Sequence, residues 1–220
     1  MKYCFKFFLF IFFISQPLVS AELGARYIVK TKGLVIGDLE WKITSNQTNY
    51  STSINLKHRG FLKIFYEFQG EYSSSGKIKD DYLIPEKYFQ NWVTNTKKRK
   101  VEIIFEDEKI KKLILDPLEK EFARVEYKKL YKYKDPLASF VGILLNNKPS
   151  HTIDGRRIYL LLPKKTNYGE KILIKEYKNI WADHKRNDLE YLEIFKDKNS
   201  VLPKKIDIKF KGYVFSLTKV

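Results

Sequence analysis

Apolar and polar residues alternate with a period of two along most of the chain. The alternation is clear at 27–33, 39–43 and 50–56, and further strand-like segments follow later, among them 157–162. This period is typical of β-strands that bury one face, and turn-forming residues separate the segments. The segment 34–37 ends in glycine, and we expect a tight reversal there. The pattern predicts ten or more short strands in an antiparallel sheet.

One segment lacks this alternation and predicts a helix. Asp135 can accept hydrogen bonds from free N–H groups at a helix start, and Pro136 suits the first helical position. Residues 137–145 are apolar apart from Ser139, and the two asparagines at 146–147 end the segment. A helix without a polar face should pack against the sheet.

Pro85 adds a constraint on the sheet. It has no N–H to donate to a neighbouring strand, so it predicts an edge strand or a bulge at that position. Residues 118–134 fit helical and extended spacing equally. Together the patterns predict a mainly β fold: a curved antiparallel sheet or half-barrel with one packed apolar helix, in a single domain over residues 22–220.

The first 21 residues have the layout of a secretory signal peptide. Lys2 and Lys6 precede an apolar run at 7–14, and small residues lead to a cleavage site after Ala21. An uncleaved membrane anchor is the alternative, but the run is shorter than the roughly 20 residues that span a bilayer. We therefore expect a protein exported to the periplasm, soluble or peripheral to a membrane.

The chain is basic, with 42 Lys and Arg against 26 Asp and Glu and a formal net charge of +16. Only seven of the cations are Arg, the residue favoured for phosphate and base contacts, and the Lys residues are dispersed among acids. The densest run, 97–100, lies between two alternating segments and predicts a solvated hairpin turn. We expect no nucleic-acid partner.

Few residues suit catalysis or metal binding. Cys4 belongs to the signal peptide, and His58, His151 and His184 each stand alone, so we expect no metal site. No nucleophile elbow, phosphate-binding loop or dinucleotide motif occurs, which predicts a non-enzymatic protein without a cofactor or catalytic residue. The acids at 106–108 are expected to form a turn; a hydrolase of envelope polymers remains an alternative that needs two facing carboxylates.

One motif suggests a ligand site. Asp154, Arg156 and Arg157 follow each other around Gly155 and could hold an anionic group of a ligand. Asp-Gly is also a preferred two-residue hairpin turn, in which the arginines would only brace the adjacent strands. The second interpretation is favoured because the turn signal is so regular.

Several motifs, in this order, resemble domain-of-unknown-function family 3108 of exported proteobacterial proteins. The resemblance covers roughly Tyr27 to Thr218, and its marks are Tyr27, Gly33–Gly37, Ser75-Gly76, Pro85, Tyr88, Asp135–Ser139, Asp154–Tyr159 and Leu202–Ile206. It implies a periplasmic β-rich protein without an established activity. Relatives often carry cysteines in their C-terminal half, and residues 22–220 contain none.

Aromatic residues suggest what the protein binds. Fifteen Tyr, sixteen Phe and three Trp are present, and a curved sheet lined by such residues could hold an acyl chain or another apolar ligand. This hypothesis predicts a concave apolar cavity. The alternative is an interaction module that docks on an envelope protein through an edge strand or aromatic patch, which predicts a flat patch and no cavity. An ordinary aromatic core would also account for the residues.

Overall fold

The structure is a computed structural model that describes residues 20–59, 67–167, 169–182, 188–197 and 200–220. Within these ranges the chain forms thirteen strands and one α-helix. The strands are β1 (Ala21–Thr31), β2 (Leu34–Ser45), β3 (Asn49–His58), β4 (Phe68–Lys79), β5 (Tyr82–Thr94), β6 (Lys98–Glu106), β7 (Lys109–Asp116), β8 (Ser150–Ile153), β9 (Arg157–Thr166), β10 (Gly169–Asn179), β11 (Leu189–Phe195), β12 (Lys205–Phe210) and β13 (Tyr213–Lys219). Helix α1 is Pro136–Asn146, and a 3₁₀ turn covers Tyr127–Lys129.

All thirteen strands belong to one antiparallel sheet. Its order is β7-β6-β5-β4-β3-β2-β1-β13-β12-β11-β10-β9-β8, so each strand pairs with a neighbour in sequence, apart from the junction of β1 with β13. The two sheet ends, β7 and β8, do not pair with each other in the described residues. The predicted fold class, a mainly β antiparallel sheet with one packed helix, is confirmed.

Contacts of the helix require the sheet to curve. Helix α1 touches β3, β4 and β5 and also β8, which lies nine positions from β4 in the sheet order. In a flat sheet with strands about 4.8 Å apart, β4 and β8 would lie about 43 Å from each other. A helix only about 10–12 Å wide can touch both only when the sheet wraps around it.

The helix begins and ends as the sequence predicts. The Asp135 carboxylate accepts hydrogen bonds from the N–H groups of Leu137 and Ala138 at 2.9 and 3.0 Å, with Pro136 in the first turn. Asn147, in the left-handed conformation, donates its N–H to the carbonyl of Ile143 at 2.8 Å. No helix among the described residues is long and apolar enough to cross a membrane.

Buried polar groups attach the helix to strands on either side of it, β4 and β8. The second Asp135 carboxylate oxygen accepts a hydrogen bond from the Ser74 hydroxyl on β4 at 2.8 Å. Tyr50 on β3 is within hydrogen-bond distance of that hydroxyl, at 3.1 Å. On the other side the Ser139 hydroxyl accepts a bond from Thr152 of β8 at 2.8 Å. Because buried polar groups need partners, these contacts set the position of α1.

The turn between β1 and β2 differs from the sequence prediction. It consists of Lys32 and Gly33, both with positive φ, and β2 already begins at Leu34. The reversal expected at 34–37 is therefore wrong. Gly37 serves a close approach instead, since a Cβ there would lie 2.6 Å from the Lys57 carbonyl oxygen on β3.

Other predicted turns are present. Asp107 and Glu108 form the β6–β7 turn, and the basic run at 97–100 begins in the β5–β6 turn and continues into β6. Pro85 lies at the predicted bulge, opposite Gly76, where the β4–β5 register shifts. The ambiguous stretch 118–134 holds only the short 3₁₀ turn as regular structure.

The connection from β7 to α1 pairs with both edge strands of the sheet, β7 and β8. Tyr131 bridges to Lys109 on β7, and Lys134 bridges to Thr152 on β8. The Lys134 N–H donates to the His151 carbonyl at 2.9 Å. The segment 131–134 therefore uses some of the backbone groups that terminal strands would otherwise expose.

Two glycines give opposite expectations for substitution by alanine. At Gly76 a Cβ would lie 2.1 Å from the Ile84 carbonyl oxygen, so we expect Gly76→Ala to lower the free energy of unfolding by about 3 kcal/mol. At Gly142 in α1 a Cβ meets nothing within 4 Å, so Gly142→Ala should stabilise by about 1 kcal/mol. Urea unfolding measures both; equal effects would contradict the bulge geometry.

Burial makes stability depend on the charge of Asp135. Desolvation raises the pKa of this carboxyl to about 6 in the folded protein, from 3.8, against the opposing effect of its hydrogen bonds. The folded state therefore binds the proton more tightly than the unfolded state does. As the pH rises from about 4 to about 6, the free energy of unfolding should fall by at most about 3 kcal/mol. Asp135→Asn keeps a capping oxygen and should lack this decline in urea titrations across that window. Parallel pH profiles would show that the carboxyl is not perturbed.

Candidate functional site

The interior of the curved sheet has two different ends. At the helix end, where Asn146 donates to the Asp81 carbonyl at 2.7 Å, α1 fills the space between the strands. Trp41 stacks on Phe140 of α1 with ring centroids 5.5 Å apart and is almost fully buried. The opposite end, which we call the open end, lies at the β1–β2, β5–β6 and β12–β13 turns. The backbone of α1 lies closest to β3, β4, β5 and β8 in the described residues.

The open end contains an apolar cleft of about 610 Å³. Strands β1 to β5 line one side and β12 and β13 the other. Its lining residues are Val29, Ile36, Leu39, Leu56, Phe68, Tyr72, Trp92, Ile208, Phe210, Phe215 and Leu217. No charged side chain is among them, and the tyrosine hydroxyl and tryptophan N–H are the polar side-chain groups. We refer to this space as the apolar cleft.

Partial exposure of several lining residues distinguishes the cleft from the filled interior. Leu56, Ile208 and Phe215 point inward but remain only half-buried. Inward residues near the helix, such as Tyr27 and Trp41, are buried. Since apolar surface favours removal from water, the half-buried lining offers binding energy to an apolar occupant.

Stacked aromatic rings form part of the cleft wall. Phe68 at the start of β4 stacks on Trp92 near the end of β5, with centroids 5.6 Å apart and planes at 12°. The β4–β5 register brings the two together through the pairs Phe68–Thr94 and Gly70–Trp92. A Cβ at Gly70 would lie 2.9 Å from the Trp92 ring, so glycine lets that ring lie against the sheet. The stacked rings give this part of the cleft wall an apolar surface.

The structure brings the three sequence-predicted site residues together at one hairpin. The N–H of Asp154 donates to the Arg157 carbonyl at 3.1 Å, so Gly155 and Arg156 occupy the two turn positions. Gly155 has φ of 89°, and a Cβ there would lie 2.5 Å from Val101. The turn is therefore placed one residue later than the predicted Asp-Gly pair. It packs on β6, across the gap between the sheet ends.

The Arg156 guanidinium donates hydrogen bonds to two groups of the same chain. Its Nε donates to Glu119 at 2.6 Å, and another guanidinium nitrogen donates to the Pro117 carbonyl at 3.1 Å. Asp154 accepts bonds from the N–H groups of Arg156 and Arg157 at 2.9 and 2.8 Å. The Arg156 side chain thus braces the connection after β7 rather than the strands next to the turn.

Arg157 lies among two carboxylates and a ring. It is 3.7 Å from Asp154 and 4.0 Å from Asp188, and its guanidinium lies 5.9 Å from the Tyr177 ring centroid. Desolvation raises the pKa of Asp154 above its usual value, and the Arg157 charge opposes that shift. With both carboxylates beside it, Arg157 carries no surplus positive charge for a ligand. Anion binding by the motif stays a prediction.

The histidines and acids remain dispersed. His58 Nδ1 lies 3.1 Å from the Phe68 carbonyl and His151 lies 3.9 Å from Glu176, while His184 is outside the described residues. No cluster of three potential metal ligands occurs in the described ranges. A wide hollow of about 940 Å³ next to β1–β4 includes Asp38 and Glu40, but Arg59 and Lys42 pair with them at 2.9 and 3.6 Å.

Sequence reasoning identified the aromatic residues in general but missed which of them line the cleft. Phe68, Trp92, Phe210 and Phe215 all lie near strand ends, next to connections at the open end. That shared position is the signal in the sequence. It becomes visible only once the order of strands assigns each turn to one end of the sheet.

Comparisons with known proteins identify no family for this chain. No family model matches the chain, and no curated protein matches it. A solved structure from Brucella abortus, described as a beta-barrel-like protein of domain of unknown function DUF1849, aligns with a TM-score of 0.48 and 10% identity. The alignment covers 90% of this chain and 95% of that one. The resemblance to family 3108 stays a prediction.

Replacing Arg156 separates bracing from ligand binding. Arg156→Gln loses the contacts with Glu119 and Pro117, and we expect the free energy of unfolding to fall by about 2 kcal/mol. Arg99→Gln, at an exposed arginine without an ion pair in the described residues, should change it by less than about 0.5 kcal/mol. Thermal unfolding with inorganic phosphate supplies the other readout. Stabilisation of the wild type that Arg156→Gln abolishes would favour an anion site.

Proposed function

We propose that this protein is a non-enzymatic periplasmic protein that binds an apolar, acyl-chain-like ligand in the apolar cleft. The cleft itself is the observation that carries the proposal. Its volume of about 610 Å³ lies in the range of roughly 300–1,000 Å³ found for ligand pockets. Its lining is apolar and aromatic without a charged group, which fits a hydrocarbon chain and disfavours a sugar or nucleotide.

The arrangement of the helix supports the same proposal. Helix α1 fills one end of the curved sheet and leaves the other without a second helix in the described residues. Leu56 and Phe215 pack against the buried core but keep part of their apolar surface accessible in the cleft. A ligand that enters the open end would complete the interior there.

The periplasmic part of the proposal rests on the sequence. Residues 1–19 are outside the described residues, and β1 begins at Ala21. Cleavage after Ala21 would remove only the first residue of β1. The pairs with β2 that begin at Glu22–Thr44 and Leu23–Ile43 would remain. The proposed processing site is therefore compatible with the sheet.

Docking on an envelope protein is the second candidate. Leu118 and Phe122, in the connection between β7 and α1, are 79% and 95% exposed. They are two side chains on an irregular segment, whereas this alternative predicts a flat patch and no cavity. The segment 131–134 also engages both terminal strands, which reduces the free sheet edge. The apolar cleft therefore favours ligand binding.

A charge placed in the cleft should abolish ligand binding. Leu56→Glu puts a carboxylate into the apolar lining, whereas Asn55→Glu puts the same group on the opposite face of β3. We expect the wild type and Asn55→Glu to bind a brominated acyl chain that quenches Trp92 fluorescence, and Leu56→Glu to bind at least tenfold more weakly. Ile208→Trp, which fills the cleft without a charge, should weaken binding similarly.

Native mass spectrometry of residues 22–220, purified from the periplasm of an expression host, supplies an independent measurement. A retained amphiphile in the wild type but not in Ile208→Trp supports the proposal. Absence of quenching in the wild type, or equal quenching in all variants, overturns it. Copurification with a protein in fixed stoichiometry, without bound amphiphile, would favour the interaction module.

A further inference from the structure

Two tight turns at the helix end are acidic, and three turns at the open end carry a lysine and no acid. At the helix end, the β4–β5 turn is Asp80-Asp81 and the β6–β7 turn is Asp107-Glu108. At the open end, the β1–β2 and β12–β13 turns each pair a lysine, Lys32 or Lys211, with glycine. The β5–β6 turn there is Asn95-Thr96-Lys97. Although Lys is abundant throughout, these basic turns contain no acid.

Each basic turn adjoins an aromatic residue of the apolar cleft. The Lys211 ammonium lies 5.6 Å from the ring centroid of Phe210, which lines the cleft. Lys32 follows Thr31, which pairs with Phe215 of the cleft lining. The Lys97 carbonyl accepts a hydrogen bond from the N–H of Thr94 at 2.8 Å. Thr94 lies two residues beyond Trp92, which lines the cleft. The three lysines therefore lie at the open end, in turns next to residues of the cleft lining.

Among the three lysines, only Lys211 lies within 4 Å of a carboxylate in the described residues. Lys32 and Lys97 have no ion pair within 4 Å in the described part of the chain; the Lys32 ammonium lies 4.7 Å above the Tyr213 ring. The Lys211 ammonium is 4.0 Å from Asp188. All three side chains are exposed and available to a group in solvent.

The composition of the cleft sets the orientation of a charged ligand. A charged group buried among the apolar side chains would lose its hydration without gaining a partner, at a large cost in free energy. It must therefore stay at the mouth, where lysines favour a negative charge and disfavour a positive one.

We propose that the apolar cleft binds a single-chain amphiphile with an anionic head group, chain first, with the head group between Lys32, Lys97 and Lys211. This inference rests on the proposed function and narrows it to one class of ligand. Recognition combines burial of the chain, which is indifferent to charge, with attraction at the mouth, which selects the anion.

Three probes with the same chain test the head-group preference. Dodecanoate, dodecanol and dodecyltrimethylammonium differ in head-group charge, and Trp92 fluorescence or calorimetry measures each affinity below micelle formation. We expect dodecanoate to bind about tenfold more tightly than dodecanol, and dodecyltrimethylammonium to bind more weakly than both. The preference should shrink toward unity at about 1 M salt, where the screening length is about 3 Å.

Matched triple variants separate local charge from the net charge of the chain. The mouth variant, Lys32→Gln, Lys97→Gln and Lys211→Gln, should lose about tenfold in dodecanoate affinity while dodecanol affinity stays within twofold. The control, Lys79→Gln, Lys109→Gln and Lys204→Gln, removes the same charge at the helix end. It should leave both affinities within about twofold of the wild type, because those sites lie beyond a screening length.

The outcomes distinguish this inference from the proposed function. Equal affinities for dodecanoate and dodecanol, or equal losses in both triple variants, would overturn the head-group assignment and leave apolar binding intact. A wild type that binds none of the three probes would overturn both. Dodecanoate binding that survives Leu56→Glu would show that the anion binds outside the cleft and would also overturn the assignment.

Discussion

The buried carboxylate of Asp135 is the contact on which the arrangement of the interior depends. One oxygen accepts hydrogen bonds from two N–H groups in the first turn of α1. The other accepts a hydrogen bond from the Ser74 hydroxyl in the middle of β4. Both demands meet on a side chain that water does not reach. The same group therefore decides where the helix begins and which strand it begins against.

That position determines how the curved sheet is filled. From its start near Ser74, α1 runs toward the helix end, where Lys196 donates to the Leu144 carbonyl at 2.8 Å. The helix is only eleven residues long, about 16 Å at the usual rise, so it covers the interior at one end only. The apolar cleft is the part of the interior that this short helix leaves uncovered.

Local sequence features predicted much of the fold. Alternation indicated the strands, Asp135 and Pro136 indicated the helix start, and Pro85 indicated the bulge, because each rests on interactions within a few residues. The first reversal was predicted at 34–37, but it lies at Lys32-Gly33. Both Gly33 and Gly37 suit a reversal, and no local feature distinguishes them. The Asp135–Ser74 bond joins residues 61 positions apart, and no local pattern marks such a pairing.

The candidate site was harder to predict than the fold. The aromatic residues of the cleft come from strands far apart in sequence, and the order of strands alone brings Trp92 and Phe215 to one end. The hairpin at Asp154 stood out in the sequence because turn chemistry is local. Its arginines proved to be bound within the chain, a fact that depends on the distant residue Glu119.

The pairing of β1 with β13 places the first and last strands side by side in the middle of the sheet. A chain emerging from a ribosome or a translocon can pair β1 with β2 early, but the two halves of the sheet remain separate until residues near Leu217 arrive. The sheet is therefore complete only once β13 has been added beside β1. Loss of β13 would divide the sheet at its centre and remove part of one wall of the cleft, whereas loss of the terminal strand β7 would leave the rest of the sheet order unbroken.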